Sequence, residues 1–112
     1  MSYIQDTSIY SALELKEITN FLKIIAEPNR LMILSVLQEG ALSVTQIQEK
    51  LQMPLNLTSF HLRPLKKHGL LNSTKQGLNI IYSLNESKIC SYREFLNHFL
   101  CEKCALENQL NC

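Results

Sequence analysis

A stretch near the middle of this 112-residue chain constrains the fold most, because it predicts two short helices joined by a tight turn. Ser43 and Gln46 have the spacing of a capping box, in which each side chain accepts a hydrogen bond from the other's backbone amide. Pro54 interrupts the helical pattern, since proline lacks an amide donor and disfavours helical angles in the preceding residue. Gly69 is the natural left-handed cap of the second helix. We therefore predict a helix-turn-helix over residues 43–69.

The second of these helices has a polar outer face. Its inner side is apolar, and polar residues recur on the other side at steps of three and four: Asn56, Ser59, Arg63 and Lys66. Such a row suits a DNA groove, although any solvated helix face can show it. The net charge is only +1, but no acidic residue lies between Glu49 and Glu86. The helix-turn-helix half is therefore basic, which favours nucleic acid as its partner.

Apolar residues at helical spacing predict three further helices. The first starts at about Tyr10, the second starts at Pro28 and is capped by Gly40, and the last occupies residues 85–104. These helices flank the helix-turn-helix on both sides, so the chain is mainly helical.

Residues 70–84 hold two strand-like runs around the glycine-containing loop Lys75–Asn79, which predicts a β-hairpin. A hairpin directly after a recognition helix is a wing. Residues 105–112 form a polar tail that contains a cysteine. We interpret the whole chain, residues 1–112, as a single domain, long enough to bury about two-thirds of the surface that its unfolded form exposes.

This order of helices, turn and wing resembles the ArsR/SmtB family of bacterial winged-helix repressors over roughly Leu22 to Leu84. The residues that carry the resemblance are Leu22 to Leu34, Ser59-Phe60-His61-Leu62, Gly69-Leu70-Leu71, and Gly77 and Tyr82 of the wing. The resemblance implies a mainly α fold with a small β-hairpin, and a homodimer formed through the first and last helices. It also implies a repressor that binds a pseudo-palindromic operator in double-stranded DNA and releases it when a ligand binds.

The resemblance also places residues at the DNA. Those that match the family's base-reading positions are Asn56, Ser59 and Phe60, and those that would face phosphates at the start of the preceding helix are Thr45 and Gln46. We expect three cations to hold phosphates as well: Arg63, Lys66 and, on the wing, Lys75.

The recognition helix departs from the family's pattern in two respects. Leu55 and Phe60 stand where the family often has a glutamine and a histidine, so apolar contact, for example with thymine methyl groups, would replace some hydrogen bonds. Pro64 lies inside the helix, where it removes the hydrogen bond to the Phe60 carbonyl and costs about 3 kcal/mol if nothing compensates. We expect a kink or an early end of the helix at Pro64.

The four cysteines, all after residue 89, are the candidate sensing residues. The family's arsenic repressors commonly carry a Cys-x-Cys pair where this chain has Ser43 and Thr45. Its sulfide and redox sensors use a cysteine in the second helix, and this chain has none there. Its zinc sensors carry an Asp/His pattern in the last helix, of which only His98 is present. A sensing site would therefore have to use the C-terminal cysteines.

Cys101 and Cys104 lie one helical turn apart and can ligate one soft ion together. In a continuous helix Cys90 is about 16 Å away along the axis, so a third thiolate would come from Cys112 or from Cys90 of the partner subunit. Three thiolates suit trivalent arsenic, which the resemblance favours, whereas four, or three with His98, could hold zinc or cadmium. A disulfide between Cys101 and Cys104 is a redox alternative, and cysteines without any sensing role are another.

Other functional classes fit this sequence less well. No nucleophile with a base and an orienting group, and no phosphate-binding loop, is visible, so we do not expect an enzyme. No apolar run approaches the length of a membrane span, and the first residues lack the pattern of a signal peptide, so we expect a cytoplasmic protein with no membrane partner. The alternative from another class is a dimerisation module that regulates a protein partner without contacting DNA.

Overall fold

The computed structural model describes residues 11–100, which form five helices and a three-stranded sheet. The helices are α1 (Ala12–Ile25), α2 (Pro28–Leu37), α3 (Val44–Leu51), α4 (Leu55–Lys67) and α5 (Glu86–Leu100), and the strands are β1 (Leu42–Ser43), β2 (Leu71–Gln76) and β3 (Asn79–Leu84). This order confirms the predicted winged helix-turn-helix, with α3 and α4 as the helix-turn-helix and β2 and β3 as the wing. The predicted end of the last helix and the tail lie outside the described residues.

A serine starts α1 and another starts α3, each through local hydrogen bonds. The Ser43 hydroxyl accepts from the Gln46 amide at 3.1 Å, and the Gln46 side chain accepts from the Ser43 amide at 2.8 Å, as predicted. Ser11 and Glu14 form the same reciprocal pair at α1. The second pair was not predicted, and it makes α1 begin at Ala12, later than expected.

The turn between α3 and α4 depends on one residue with a left-handed backbone. Gln52 has φ +52°, and its side-chain amide donates to the Glu49 carbonyl at 2.8 Å. The next residue, Met53, is buried. Pro54 then occupies the N-cap of α4, where its missing amide donor costs nothing. The interruption predicted at Pro54 is therefore the turn of the helix-turn-helix.

Of the two outcomes expected at Pro64, a kink or an early end of α4, the early end is wrong, because the helix continues to Lys67. The turn after the proline is closed by a hydrogen bond of 2.9 Å from the His68 amide to the Pro64 carbonyl. Leu62 and Leu65, which flank the proline, are buried. Burying one leucine side chain stabilises a fold by about 1.5–3 kcal/mol, so the two together outweigh the cost of an interior proline.

Gly69 ends α4 in the conformation that the sequence predicts. Its φ is +88°, its amide donates to the Lys66 carbonyl at 3.0 Å, and the Leu70 amide donates to the Leu65 carbonyl at 3.0 Å. This pair of hydrogen bonds is the Schellman pattern, which satisfies carbonyls that the helix end would otherwise leave without donors. The chain then turns directly into β2.

The sheet contains a strand that the sequence did not predict. β1 has only two residues and pairs antiparallel with the middle strand β3, which gives the order β1-β3-β2. In the wing, Gln76 pairs with Asn79, so only Gly77 and Leu78 form the turn and the loop is shorter than predicted. Gly77 has φ +62°, as the first central residue of a tight hairpin of this length requires.

The hydrophobic core takes residues from every helix and from β2. Its buried members are Ile18, Phe21, Ile33, Leu37, Ile47, Leu62, Leu65, Leu70, Leu71 and Tyr92. Phe21 of α1 and Tyr92 of α5 stack with ring centroids 4.1 Å apart, which attaches α5 to the helices before it. Within residues 11–100, the helices are too short or too polar to cross a membrane.

Candidate nucleic-acid interface

The outer face of α4 is the first part of the candidate interface. The buried side of this helix consists of Thr58, His61, Leu62 and Leu65. The opposite side, given 3.6 residues per turn, consists of four exposed residues: Asn56, Phe60, Arg63 and Lys67. Of the other predicted contacts, Lys66 is exposed and Ser59 is half-buried at the edge of this face. Lys67, which the sequence analysis did not place at the DNA, thus belongs to the same surface.

A groove between α4 and the wing is the second part. It has a volume of about 390 Å³, and its lining consists of Val44, Ser59, Leu62, Arg63, Lys66, Lys67, Ile80 and Tyr82. The lining is apolar where β3 faces the helix and cationic along α4. None of its three cations pairs with an acidic side chain in the described part of the chain. Such uncompensated positive charge is available to phosphate groups.

The start of α3 and the wing supply the remaining predicted contacts. Thr45 is exposed in the first turn of α3. Gln46 is exposed too, but its carbonyl oxygen is engaged in the capping box, which leaves its amide group as the donor for a phosphate. Lys75 is exposed on β2, opposite Ile80 of β3.

A cluster of polar side chains under α4 fixes where this helix lies. His61 is only 5% exposed, and its Nδ1 accepts a hydrogen bond of 3.1 Å from Nε of Arg30. The carboxylate of Glu27 approaches the same Nδ1 at 3.5 Å, and Asn29 approaches Nε2 at 3.5 Å. Arg30 also donates to the Ile24 carbonyl at 3.1 Å. Residues at the start of α2 therefore hold α4 in place by contacting the ring of His61 on its buried side.

In the sequence, Arg30 and His61 stand out only as carriers of the family resemblance. Their contact joins positions 31 residues apart, and no local spacing in the sequence indicates it. The available signal was that Arg30 and His61 each stand beside apolar residues, where a polar side chain needs a partner.

A second set of contacts joins the end of α4 to α5. The Tyr92 hydroxyl lies 3.2 Å from Nε2 of His68, the residue that caps α4. Burial and the nearby ammonium group of Lys88 lower the pKa of His68, while the carboxylate of Glu17 opposes them. Asn85, just before α5, donates to the Gly69 carbonyl at 2.9 Å. A displacement of α5 would therefore act directly on the end of the recognition helix.

The predicted sensing residues lie mostly outside the described residues. Cys101, Cys104 and Cys112 all follow residue 100. Cys90 is half-buried on α5 and is disulfide-bonded, and Nη2 of Arg93 lies 4.0 Å from its sulfur. Between residues 11 and 100 there is no group of three or more side chains that could hold a metal ion. The structure therefore does not test the predicted thiolate site.

Comparisons with known proteins agree with this architecture. A family profile described as a helix-turn-helix domain matches residues 25–74, which include α2, α3 and α4. The transcriptional activator HlyU of Vibrio cholerae is 31% identical over 81 residues, which are 72% of this chain and 75% of HlyU. The arsenical resistance operon repressor of Staphylococcus xylosus is 33% identical over 70 residues, which are 62% of this chain and 67% of the repressor.

The fold is also similar to solved structures. A structure of HlyU from Vibrio cholerae N16961 superposes with a TM-score of 0.69 at 27% sequence identity. The superposition covers 82% of this chain and the whole of HlyU. The five helices and the wing are thus those of known transcriptional regulators.

Proposed function

This chain belongs to the ArsR/SmtB family of winged-helix transcriptional regulators, and from that membership we propose that it is a repressor that binds operator DNA as a homodimer and releases it when its C-terminal thiols bind an effector. The observation that carries the DNA-binding part is the unpaired positive charge of the groove between α4 and the wing. The outer face of α4 is exposed beside that groove, and an α-helix fits into the major groove of DNA.

Base edges face the first half of α4 in this proposal, and phosphates face its second half and the wing. In helix-turn-helix proteins the N-terminal residues of the recognition helix reach the bases. These are the candidates Asn56, Ser59 and Phe60, with Leu55 beside them at the start of the helix. Arg63, Lys66, Lys67 and Lys75 would hold phosphates, together with Thr45 and Gln46.

Substitution of one phosphate-binding cation tests the DNA-binding part. Lys66→Ala should weaken binding to all duplex sequences alike and lower the slope of log affinity against log salt by about one, because one phosphate contact is lost. Lys50→Ala, at the exposed C-terminal end of α3, should leave both unchanged. If wild-type protein bound no duplex even at low salt, the interaction module without DNA contact would become the better interpretation.

The dimer is supported by apolar side chains that the single chain leaves exposed on its outer helices. Leu13 and Leu22 of α1 are 68% and 40% exposed, and Leu100 at the end of α5 is 80% exposed. A second subunit that covered them would set two recognition helices at a fixed distance. A pseudo-palindromic operator has two half-sites, one for each of these recognition helices.

Trivalent arsenic is the effector that we favour. Cys101 and Cys104 have the spacing of two thiolate ligands in one helix, and a known relative is an arsenical resistance repressor. The contacts of Tyr92 with His68 and of Asn85 with Gly69 would carry a movement of α5 to the end of α4. Zinc or cadmium, bound by additional ligands, is the weaker choice among metals.

Thiol oxidation is a second candidate, and one observation favours it: Cys90 is disulfide-bonded. Formation of a disulfide takes two electrons and two protons from a pair of thiols and gives them to an oxidant such as a peroxide. In that state Cys90 could not serve as a thiolate ligand, so metal binding and oxidation would exclude each other at this residue.

Native mass spectrometry of the fully reduced protein distinguishes these effectors. The protein would be titrated separately with trivalent arsenic and with zinc, and then compared with the variant that carries Cys101→Ser and Cys104→Ser. One arsenic per chain, lost in the variant together with release from DNA, supports the arsenic sensor. If no metal binds, but peroxide releases wild-type protein and not Cys90→Ser, the redox sensor is supported instead.

A further inference from the structure

The tip of the wing carries a large apolar side chain that does not pack against the rest of the fold. Leu78 is fully exposed, more so than any other large apolar residue in the described part of the chain. It occupies the second position of the two-residue turn, after Gly77. Because no neighbour buries it, Leu78 contributes nothing to the stability of the single chain.

The wing that carries Leu78 is held firmly and continues the candidate DNA surface. Six residue pairs join β2 to β3, and β3 also pairs with β1 on its other side. Ile80, two residues from the tip, lines the cationic groove together with Arg63 and Lys66. The tip is therefore the end of a braced arm that begins beside the recognition helix.

We propose that Leu78 is an apolar wedge that enters the minor groove beside the site of α4, partly unstacks one base step and bends the DNA. The proposal rests on the proposed function, because it requires that α4 and the groove beside it bind the duplex. Apolar side chains that enter the minor groove in this way kink DNA by about 20–90°.

The dimensions and chemistry of the tip fit this partner. The minor groove is about 6 Å wide, and two paired strands are already about 4.8 Å apart, so only a tight turn can reach its floor. Gln76 and Asn79 flank the turn with exposed amide groups, which can donate to the acceptors on A·T edges. Lys75 lies next along β2, where its charge can meet the phosphates at the groove's edge.

The proposal also predicts the kind of sequence found beside the recognition site. Pyrimidine–purine steps such as TA and CA unstack most easily. Insertion of the wedge therefore costs least free energy where such a step lies under it. The preferred operator should therefore contain one of these steps outside each part read by α4.

The test uses a duplex that the full-length protein selects from a random pool, with the fluorescent base 2-aminopurine placed at successive flanking positions. Wild-type protein should increase the fluorescence at one flanking step in each half-site, since unstacking relieves the quenching of this base. Energy transfer between dyes at the two ends of the duplex should report a bend.

Leu78→Ala should remove the fluorescence increase and most of the bend, and should weaken affinity by about tenfold, as expected for the loss of part of a buried leucine. Leu78→Met keeps an apolar side chain of similar volume and should retain both signals. Lys75→Ala should weaken affinity in a salt-dependent way, yet keep both signals once the DNA is saturated.

The outcomes separate this inference from the function on which it rests. If wild-type protein selects a sequence and binds it in a salt-dependent way, but Leu78→Ala bends and unstacks it as wild type does, the wedge is refuted and the repressor stands. If no duplex is bound at low salt, the proposed function fails and the wedge fails with it. If Leu78→Ala binds DNA normally but loses binding to another protein, the tip is a protein contact and the wedge is refuted.

Discussion

Phe60 is the residue on the outer face of α4 whose chemistry differs most from that of a polar DNA contact. Its side chain is 57% exposed, and its ring meets the buried ring of His61 edge to face with centroids 5.1 Å apart. Because Arg30 holds His61 in turn, the Phe60 ring has a fixed support beneath it. A fixed apolar group at a position that we propose to read bases suits the methyl group of thymine.

We predict that Phe60 recognises thymine through that methyl group. Replacement of the contacted thymine by deoxyuridine in a selected duplex removes only the methyl and should weaken wild-type binding about fourfold, since one buried methyl is worth about 0.8 kcal/mol. Phe60→Ala should bind the two duplexes equally well. Titration of both proteins with both duplexes gives the coupling free energy between the Phe60 ring and the thymine methyl group. Additive losses would show that the two groups do not touch.

His68 predicts a dependence of stability on pH. Burial and Lys88 lower the pKa of its imidazole in the folded protein below the ordinary value of 6.5, so the unfolded chain binds a proton at a higher pH than the folded one. The contribution is complete above that ordinary value and is lost as the pH falls through it toward the lowered pKa. Urea denaturation from about pH 7.5 down to about pH 5.5 should therefore show a falling free energy of unfolding.

Two neighbours of His68 give controls of opposite sign. Lys88→Met removes a cause of the lowered pKa and should reduce the fall in stability, whereas Glu17→Gln removes the opposing carboxylate and should increase it. His68→Gln removes the titrating group and its part of the fall. An identical pH dependence in all four proteins would exclude His68 as the origin.

At the scale of elements, α4 combines a strong end with a weak interior. Its C-terminus has the full Schellman pattern at Gly69, but its interior lacks the hydrogen bond that Pro64 cannot donate to the Phe60 carbonyl. The helix persists because one side of it is deeply buried. Its stability therefore depends on packing more than on backbone hydrogen bonds.

Pro64→Ala should accordingly stabilise the protein by about 1–2 kcal/mol. The new amide restores a helical hydrogen bond, which recovers part of the roughly 3 kcal/mol that an interior proline costs. The greater conformational freedom of the unfolded chain reduces this gain in stability by about 1 kcal/mol. Pro54→Ala, at the N-cap, should instead destabilise by about 0.4–1 kcal/mol, because there the proline only restricts the unfolded chain. Urea denaturation of both variants measures the two signs. Destabilisation by Pro64→Ala would mean that its ring packing outweighs the missing hydrogen bond.

At the scale of the whole molecule, the exposed apolar residues of α1 and α5 matter most. If they form the dimer interface, Leu13→Asp should shift the protein toward monomers, because a carboxylate would have to be buried in an apolar contact. Affinity for an operator with two half-sites should then fall at least about 100-fold toward that for one half-site. Sedimentation and DNA titration measure the two effects.

A matched substitution on another helix controls for surface charge. Leu31 of α2 is 49% exposed, and Leu31→Asp should leave the protein dimeric. A monomeric wild-type protein, or a Leu13→Asp variant as dimeric as wild type, would contradict the proposed interface.

The sequence by itself determined the features that depend on residues no more than five positions apart. The Ser43 capping box, the turn at Pro54 and the glycine cap at Gly69 are local hydrogen-bond and backbone effects, so a spacing of residue types is enough to predict them. The polar face of α4 followed from helical periodicity in the same way. These features were sufficient for the helix-turn-helix and for the polar row of α4, whereas the family resemblance supplied Phe60, Thr45 and Gln46 as candidate DNA contacts.

Only the tertiary structure decided the features that depend on distant parts of the chain. β1 is too short to have a pattern and exists because β3 lies beside it. The contact of Arg30 with His61 joins two helices that are separate in sequence. α4 passes Pro64 because burial of its inner side outweighs a local rule. In each case the deciding free energy comes from burial or pairing between segments, and a linear pattern does not contain it.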